Sequence, residues 1–212
     1  VLGLTLVGLV GGVIGSTFVK PVYEARAAVQ LPTPRGWQND PTASPPLVEG
    51  IGWIELARSF QVLDDVVRSR RTYLSVAQSS DTTFFAGLDL AASFVPGSYR
   101  IERIGGGLVR LSTVDGDVVE EVALGDSLGR NVGLRWQPTE LPDGRAIQFR
   151  VASLRDAATR LNGSLETFLS KDGSILRFSM RGSDPRAAAS LLNDIVTRFI
   201  AVATTLKGEK LT

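Results

Sequence analysis

The 212 residues suffice for one sizeable domain or one domain with an inserted module, and with 43% apolar and 21% charged residues a packed core is expected. The formal net charge of +1 lacks the basic excess of a nucleic-acid binder. Cys and His are both absent, which excludes thiolate zinc sites, disulfide frameworks and any nucleophile–base pair built on either residue.

Residues 1–19 carry no charge, and the first charged residue is Lys20. A run of about 18 apolar residues is the threshold for a spanning helix, so residues 1–20 are expected to cross a membrane. Gly8 with Gly12 and Gly11 with Gly15 form two small-x-x-x-small pairs, which let a second helix approach closely. Glycine is also simply frequent in membrane helices. No Ala-x-Ala-like site follows the apolar core, which favours an uncleaved anchor over a signal peptide. The chain starts inside this apolar run and ends in a helical pattern, and reads as a piece of a longer protein.

After the membrane, residues 22–31 alternate strictly. Tyr23, Ala25, Ala27, Val29 and Leu31 share one face, and Glu24, Arg26, Ala28 and Gln30 the other, which predicts a strand with one buried face. Residues 32–50 hold Pro32, Pro34, Pro41, Pro45 and Pro46 and read as a surface loop. Residues 52–70 read as a helix, with Leu56, Phe60, Leu63 and Val67 on one side. Arg68, Arg70 and Arg71 gather at its C-terminal end, where the helix dipole favours them.

Residues 84–151 change character. Short apolar runs are separated by Gly105-Gly106-Gly107, Asp115-Gly116 and Asp143-Gly144, which predicts an antiparallel module of four to six strands. Residues 154–168 return to helical spacing through Leu154, Ala157, Ala158, Leu161, Leu165 and Phe168, with Ser153 as N-cap. Asp172-Gly173 then turns the chain into a strand whose Leu176, Phe178 and Met180 share a face. Ser183-Asp184-Pro185 starts a last helix marked by Leu192, Ile195, Val196, Phe199 and Leu206. The expected class is α+β. A transmembrane helix (1–20) precedes a mixed α/β base domain in two parts (21–83 and 152–212), with the small antiparallel β module inserted at 84–151.

Little of this carries chemistry. The triple glycine lacks the Lys-Ser/Thr of a phosphate loop and precedes a strand, so it reads as a turn. Asp64-Asp65 and Glu120-Glu121 are sequence neighbours that point apart, and both pairs are assigned to solvated surfaces. Trp37, Trp53 and Trp136 could stack on sugars, but scattered tryptophans are more often core anchors. No catalytic residue, metal ligand or cofactor site is assigned.

Two segments carry a family signal: Pro21-Val22-Tyr23-Glu24-Ala25 at the junction of membrane helix and strand, and Ser183-Asp184-Pro185 with Leu191-Leu192-Asn193. Together they resemble the Wzz-type polysaccharide chain-length-determinant domain, which also occurs at the N-terminus of bacterial tyrosine autokinases of exopolysaccharide export. The motif residues have structural roles: Pro21 ends the membrane helix, Tyr23 sits at the membrane interface, Asp184-Pro185 caps the last helix, and Asn193 can tie that helix to neighbouring backbone. The resemblance implies a ring-forming, non-catalytic scaffold in the bacterial inner membrane, with most of the chain periplasmic. Its partners would be the bilayer, further copies or other subunits, and polysaccharide. The competing expectation is an accessory subunit of a larger membrane complex, photosynthetic or respiratory, held through the glycine face and the 32–50 loop. A third is a sugar-cleaving enzyme, which needs two carboxylates about 5–10 Å apart in a cleft.

Overall fold

A computed structural model describes residues 22–31, 46–141 and 144–209, in two compact units: Val1–Val66 with Leu161–Thr212, and Val67–Arg160. The expected helix at 1–20, with Gly8, Gly11, Gly12 and Gly15, lies outside the described residues, as do Pro21 and residues 32–45. The described part is mixed α/β with antiparallel sheets.

The first unit is built on strand β1 (Tyr23–Gln30). Its alternation is used as the sequence suggests: Ala25, Ala27 and Val29 are half-buried and Leu31 is buried, whereas Glu24, Arg26 and Ala28 are exposed. Tyr23, at the end of that face, is exposed. The central strand of this sheet, here β10 (Ile175–Gly182), pairs antiparallel with β1 over its full length, Tyr23 opposite Gly182 and Gln30 opposite Ile175. Its other neighbour is β9 (Leu165–Leu169).

Strand β9 overturns the expected helix over 154–168. The helix that forms there, α3 (Leu154–Ser164), stops after Gly163-Ser164, and Leu165 and Phe168 belong to the strand instead. Leu165 is buried on the inner face, opposite Met180. Phe168 points to the other side of the strand and is 61% exposed. Leu165 and Phe168 continue the helical spacing of Leu154 to Leu161, so the apolar pattern by itself extends the helix, and pairing with β10 decides for the strand.

The first helix begins earlier than expected. Helix α1 (Pro46–Ala57) includes residues 46–50, which the sequence reading assigned to the loop. Pro46 stands at the first helical position, where its missing N–H costs nothing. The expected continuous helix over 52–70 breaks at Arg58-Ser59, and α2 (Phe60–Arg70) starts afresh with the Leu63 N–H donating to the Ser59 carbonyl at 3.0 Å. The restart turns Val62, Leu63 and Val66 inward and leaves Phe60 37% exposed.

The last helix, α4 (Pro185–Glu209), lies on the sheet. Ala188, Leu192, Ile195, Phe199 and Val202 are buried at alternating steps of four and three, the spacing of one helical stripe. Phe199 meets Phe178 (5.6 Å between ring centroids) and Trp53 (6.1 Å) edge to face. Among the described residues, Pro185–Leu206 is the one helix long and apolar enough to cross a membrane by length and composition. The buried stripe covers 28% of that apolar window, and Ile200 and Leu206 on the same helix are exposed.

The second unit holds a five-stranded antiparallel sheet in the order β2 (Leu74–Val76), β8 (Ala146–Val151), β4 (Gly97–Ile104), β5 (Leu108–Thr113), β6 (Val118–Ala123). A two-stranded ribbon, β3 (Asp89–Leu90) with β7 (Leu134–Arg135), accompanies it. Gly105-Gly106-Gly107 and Asp115-Gly116 close the β4–β5 and β5–β6 hairpins, with Gly106 and Gly116 at positive φ. Asp143 lies outside the described residues; Gly144 has positive φ, and the strands on either side of it do not pair with each other, β8 pairing with β2 and β4 and β7 with β3. The core of this unit is aromatic. Phe85 stacks on Trp136 with centroids 4.9 Å apart and meets Phe149 at 4.7 Å, and all three are buried.

Candidate functional site

The two segments behind the family resemblance meet at one end of the first unit's sheet. Register sets Tyr23, Glu24 and Ala25 opposite Gly182, Arg181 and Met180, and Ser183-Asp184-Pro185 follows directly into α4. Asp184 caps that helix: its Oδ1 accepts the N–H groups of Arg186 (2.8 Å) and Ala187 (3.1 Å). Gly182 is a positioning residue that sequence reasoning missed. A Cβ there would lie 3.3 Å from the Ala188 Cβ, so its absence lets the first turn of α4 close on the strand. Glu24 receives two bonds from the Arg26 guanidinium, both 3.0 Å, and this hydrogen bonding holds its carboxyl below its ordinary range. Asn193 departs from expectation: it is exposed, and its side chain bonds to no described residue.

The outer face of the same sheet is a shallow hollow of about 620 Å³. Ala28, Arg177 and Phe168 form one cross-strand row, and Arg26, Ser179 and Glu166 the next. Small residues at Ala28 and Ser179 leave the hollow, and the exposed Phe168 stands at its side.

A larger cleft, about 830 Å³, lies wholly within the second unit. One wall is the 3-10 helix Ser79–Phe85, seven residues in a geometry whose runs seldom exceed three or four. Guanidiniums hold it at both ends. Near its start, Arg145 donates to Gln78 Oε1 at 3.2 Å and pairs with Asp81, whose side chain is only 8% exposed. Past its end, Arg71 donates to the Phe85 carbonyl at 3.4 Å and to that of Ala86. Arg71 itself has φ 52 and closes α2: the Thr72 N–H reaches back to the Val67 carbonyl and the Arg71 N–H to that of Arg68. The facing wall is the stretch from Trp136 to Leu141.

The tryptophans are used as anchors. Trp136 is 4% exposed, with Phe85 stacked on it and Phe84 edge-on at 4.8 Å, and so offers no open ring face. Trp53 packs on Phe199, and Trp37 lies outside the described residues. The paired carboxylates point apart as expected, but Glu120 is no solvated surface group. Its side chain is 13% exposed and accepts the N–H groups of Gly129 (2.7 Å) and Arg130 (2.9 Å). Glu121 turns to Arg110 at 2.6 Å, and Asp65 pairs with Arg198. Two acids, Asp81 and Glu140, do line the cleft, but Asp81 is engaged by Arg145. Among the described residues no group of three or more acidic side chains is placed to hold a metal ion. No family model matches the chain, and no curated protein is significantly similar to it.

Proposed function

We propose that the chain is a membrane-anchored extracytoplasmic scaffold of the polysaccharide chain-length-determinant kind, acting by self-association and not by catalysis. The observation that carries this reading is the register of β1 on β10. Tyr23 opposite Gly182 brings both halves of the resemblance to one sheet end, directly after the apolar run of residues 1–19. Motifs with capping and packing roles suit a scaffold, because none of them has to meet a reacting group. Surface for self-association is available in the first unit: Phe60, Ile200 and Leu206 are 37%, 46% and 37% exposed.

The absence of cysteine makes the test direct. A single Ile200→Cys variant, expressed in bacterial membranes and oxidised there, is expected to yield chain-to-chain dimers. Mild extraction with lipid is expected to give a higher oligomer. A strictly monomeric protein in both settings refutes the scaffold. Stoichiometric recovery with unrelated subunits favours the accessory-subunit alternative.

A further inference from the structure

We infer that the open face of the second unit's five-stranded sheet holds a site for a phosphate monoester, built on Arg150 and Arg100. This goes beyond the scaffold reading and does not rest on it, because the site shares no residue with the β1–β10 sheet end.

Register builds the site. Tyr99, Ile101, Ile147, Phe149 and Val151 turn one face of the sheet into the core, so the alternate residues Ser98, Arg100, Gln148 and Arg150 share the other. Arg150 on β8 stands between Ser75 of β2 and Ser98 of β4, and Gln148 stands opposite Arg100. Arg100 and Arg150 are therefore diagonal neighbours on paired strands, about 7–8 Å apart, a separation that long side chains span. Ser75, Ser98, Gln148 and Arg150 line a hollow of about 370 Å³, and Arg100 follows Ser98 along the same face.

Charge on this face is divided unevenly. In the next row Arg110 takes both acids, Glu102 at 3.5 Å and Glu121 at 2.6 Å. Among the described residues no carboxylate pairs with Arg100 or Arg150, those of Asp115 and Asp117 in the β5–β6 turn included. The Arg100 Nε is buried and has no hydrogen-bond partner. Like charges so placed repel, and a buried donor without an acceptor carries its full desolvation cost. An anion lying against both guanidiniums relieves both penalties.

The donors narrow the ligand. One guanidinium satisfies a carboxylate with two parallel bonds. Here two guanidiniums are joined by the Ser75 and Ser98 hydroxyls and the Gln148 amide, side chains that bond to no described residue. Donors from several directions suit a tetrahedral group carrying close to two charges, as a phosphate monoester does at neutral pH. Val114, 49% exposed, and Val76 border the hollow and offer an apolar surface to the organic part of the ester. Free phosphate leaves that surface unused.

The test titrates the full-length protein, in phosphatidylcholine nanodiscs, with phenyl phosphate, inorganic phosphate and benzoate by calorimetry. Phenyl phosphate is expected to bind at least tenfold more tightly than the other two. Its affinity is expected to fall as the pH drops through about 6, where the dianion takes up a proton. Arg150→Gln, at an exposed position, is expected to weaken it at least tenfold with the thermal midpoint unchanged. Arg100→Gln is expected to weaken it as well, with its folding checked by circular dichroism. Flotation with vesicles containing phosphatidic acid separates the sources of the ester: flotation lost in Arg150→Gln supports a lipid headgroup at this site, and no flotation supports a soluble ester. No binding of phenyl phosphate, equal affinity for benzoate or inorganic phosphate, or full affinity in Arg150→Gln would each overturn the assignment.

Discussion

Asp184 offers the sharpest division between a structural and a functional motif. Its Oδ1 accepts two of the amides that the first turn of α4 leaves without helical partners, at 2.8 and 3.1 Å. Replacing an N-cap Asp by Ala costs about 1 kcal/mol, with about 2 as the upper end of the range. Two good bonds at the start of a 25-residue helix place Asp184→Ala in the upper half of that range. For a protein of this size about 1 kcal/mol lowers the melting midpoint by roughly 2–4 °C. Differential scanning calorimetry in detergent should therefore show a drop of about 3–8 °C for Asp184→Ala. Asp184→Asn should remain within about 2 °C of the parent, because an amide oxygen accepts the same bonds. Oligomer size should be unchanged in both variants. A normal midpoint combined with lost assembly in Asp184→Ala would refute the capping argument and make Asp184 a contact residue. An equal loss in the Asn variant would show that charge, and not the acceptor, matters.

The remaining predictions concern turns. Gly133 has φ 72, and a Cβ there would collide with the Ser93 carbonyl oxygen and the Phe94 backbone, so Gly133→Ala should destabilise the second unit by at least about 2 kcal/mol in urea unfolding. Gly144, also at positive φ but with nothing within 4 Å of a Cβ, should tolerate Ala with a smaller loss, and equal losses at the two positions would refute the steric argument. Hydrogen bonds from the Ser170 and Ser174 hydroxyls lower the Asp172 carboxyl from 3.8 to about 2. Its folded-state value is depressed, so its contribution to the β9–β10 hairpin is complete above pH about 4 and is lost as the pH falls towards 2. Asp172→Asn should flatten that part of the stability–pH curve, and an unchanged acid limb would count against the bond network.

Much of the fold can be read from local pattern, and the misses have a common cause. Strand β1 shows as strict alternation, β10 as Leu176, Phe178 and Met180, and the caps as Ser153 and Asp184. The Ser153 Oγ indeed accepts the Asp156 N–H at 3.0 Å. Each of these signals lies within a few residues. The strand at Leu165–Leu169 shares its apolar spacing with the helix before it, so nothing local separates them. The break at Arg58-Ser59 is equally hidden, because Leu56, Phe60, Leu63 and Val67 fit one uninterrupted helix by spacing.

The cleft could not be read at all. Asp81, Arg103, Trp136 and Arg145 are far apart in the chain, and strand pairing within the second unit brings them together. Gly133 and Gly182 likewise look like any other glycine until a carbonyl or a helix turn lies against them. The sequence by itself determined which faces are apolar, where helices are capped and where the tight turns fall, because side-chain period and turn chemistry act over a few residues. Tertiary structure alone decided which strand pairs with which, where a helix yields to a strand, and which polar groups share a cavity. Those outcomes depend on hydrogen bonds and packing between residues distant in the chain, which no short stretch encodes.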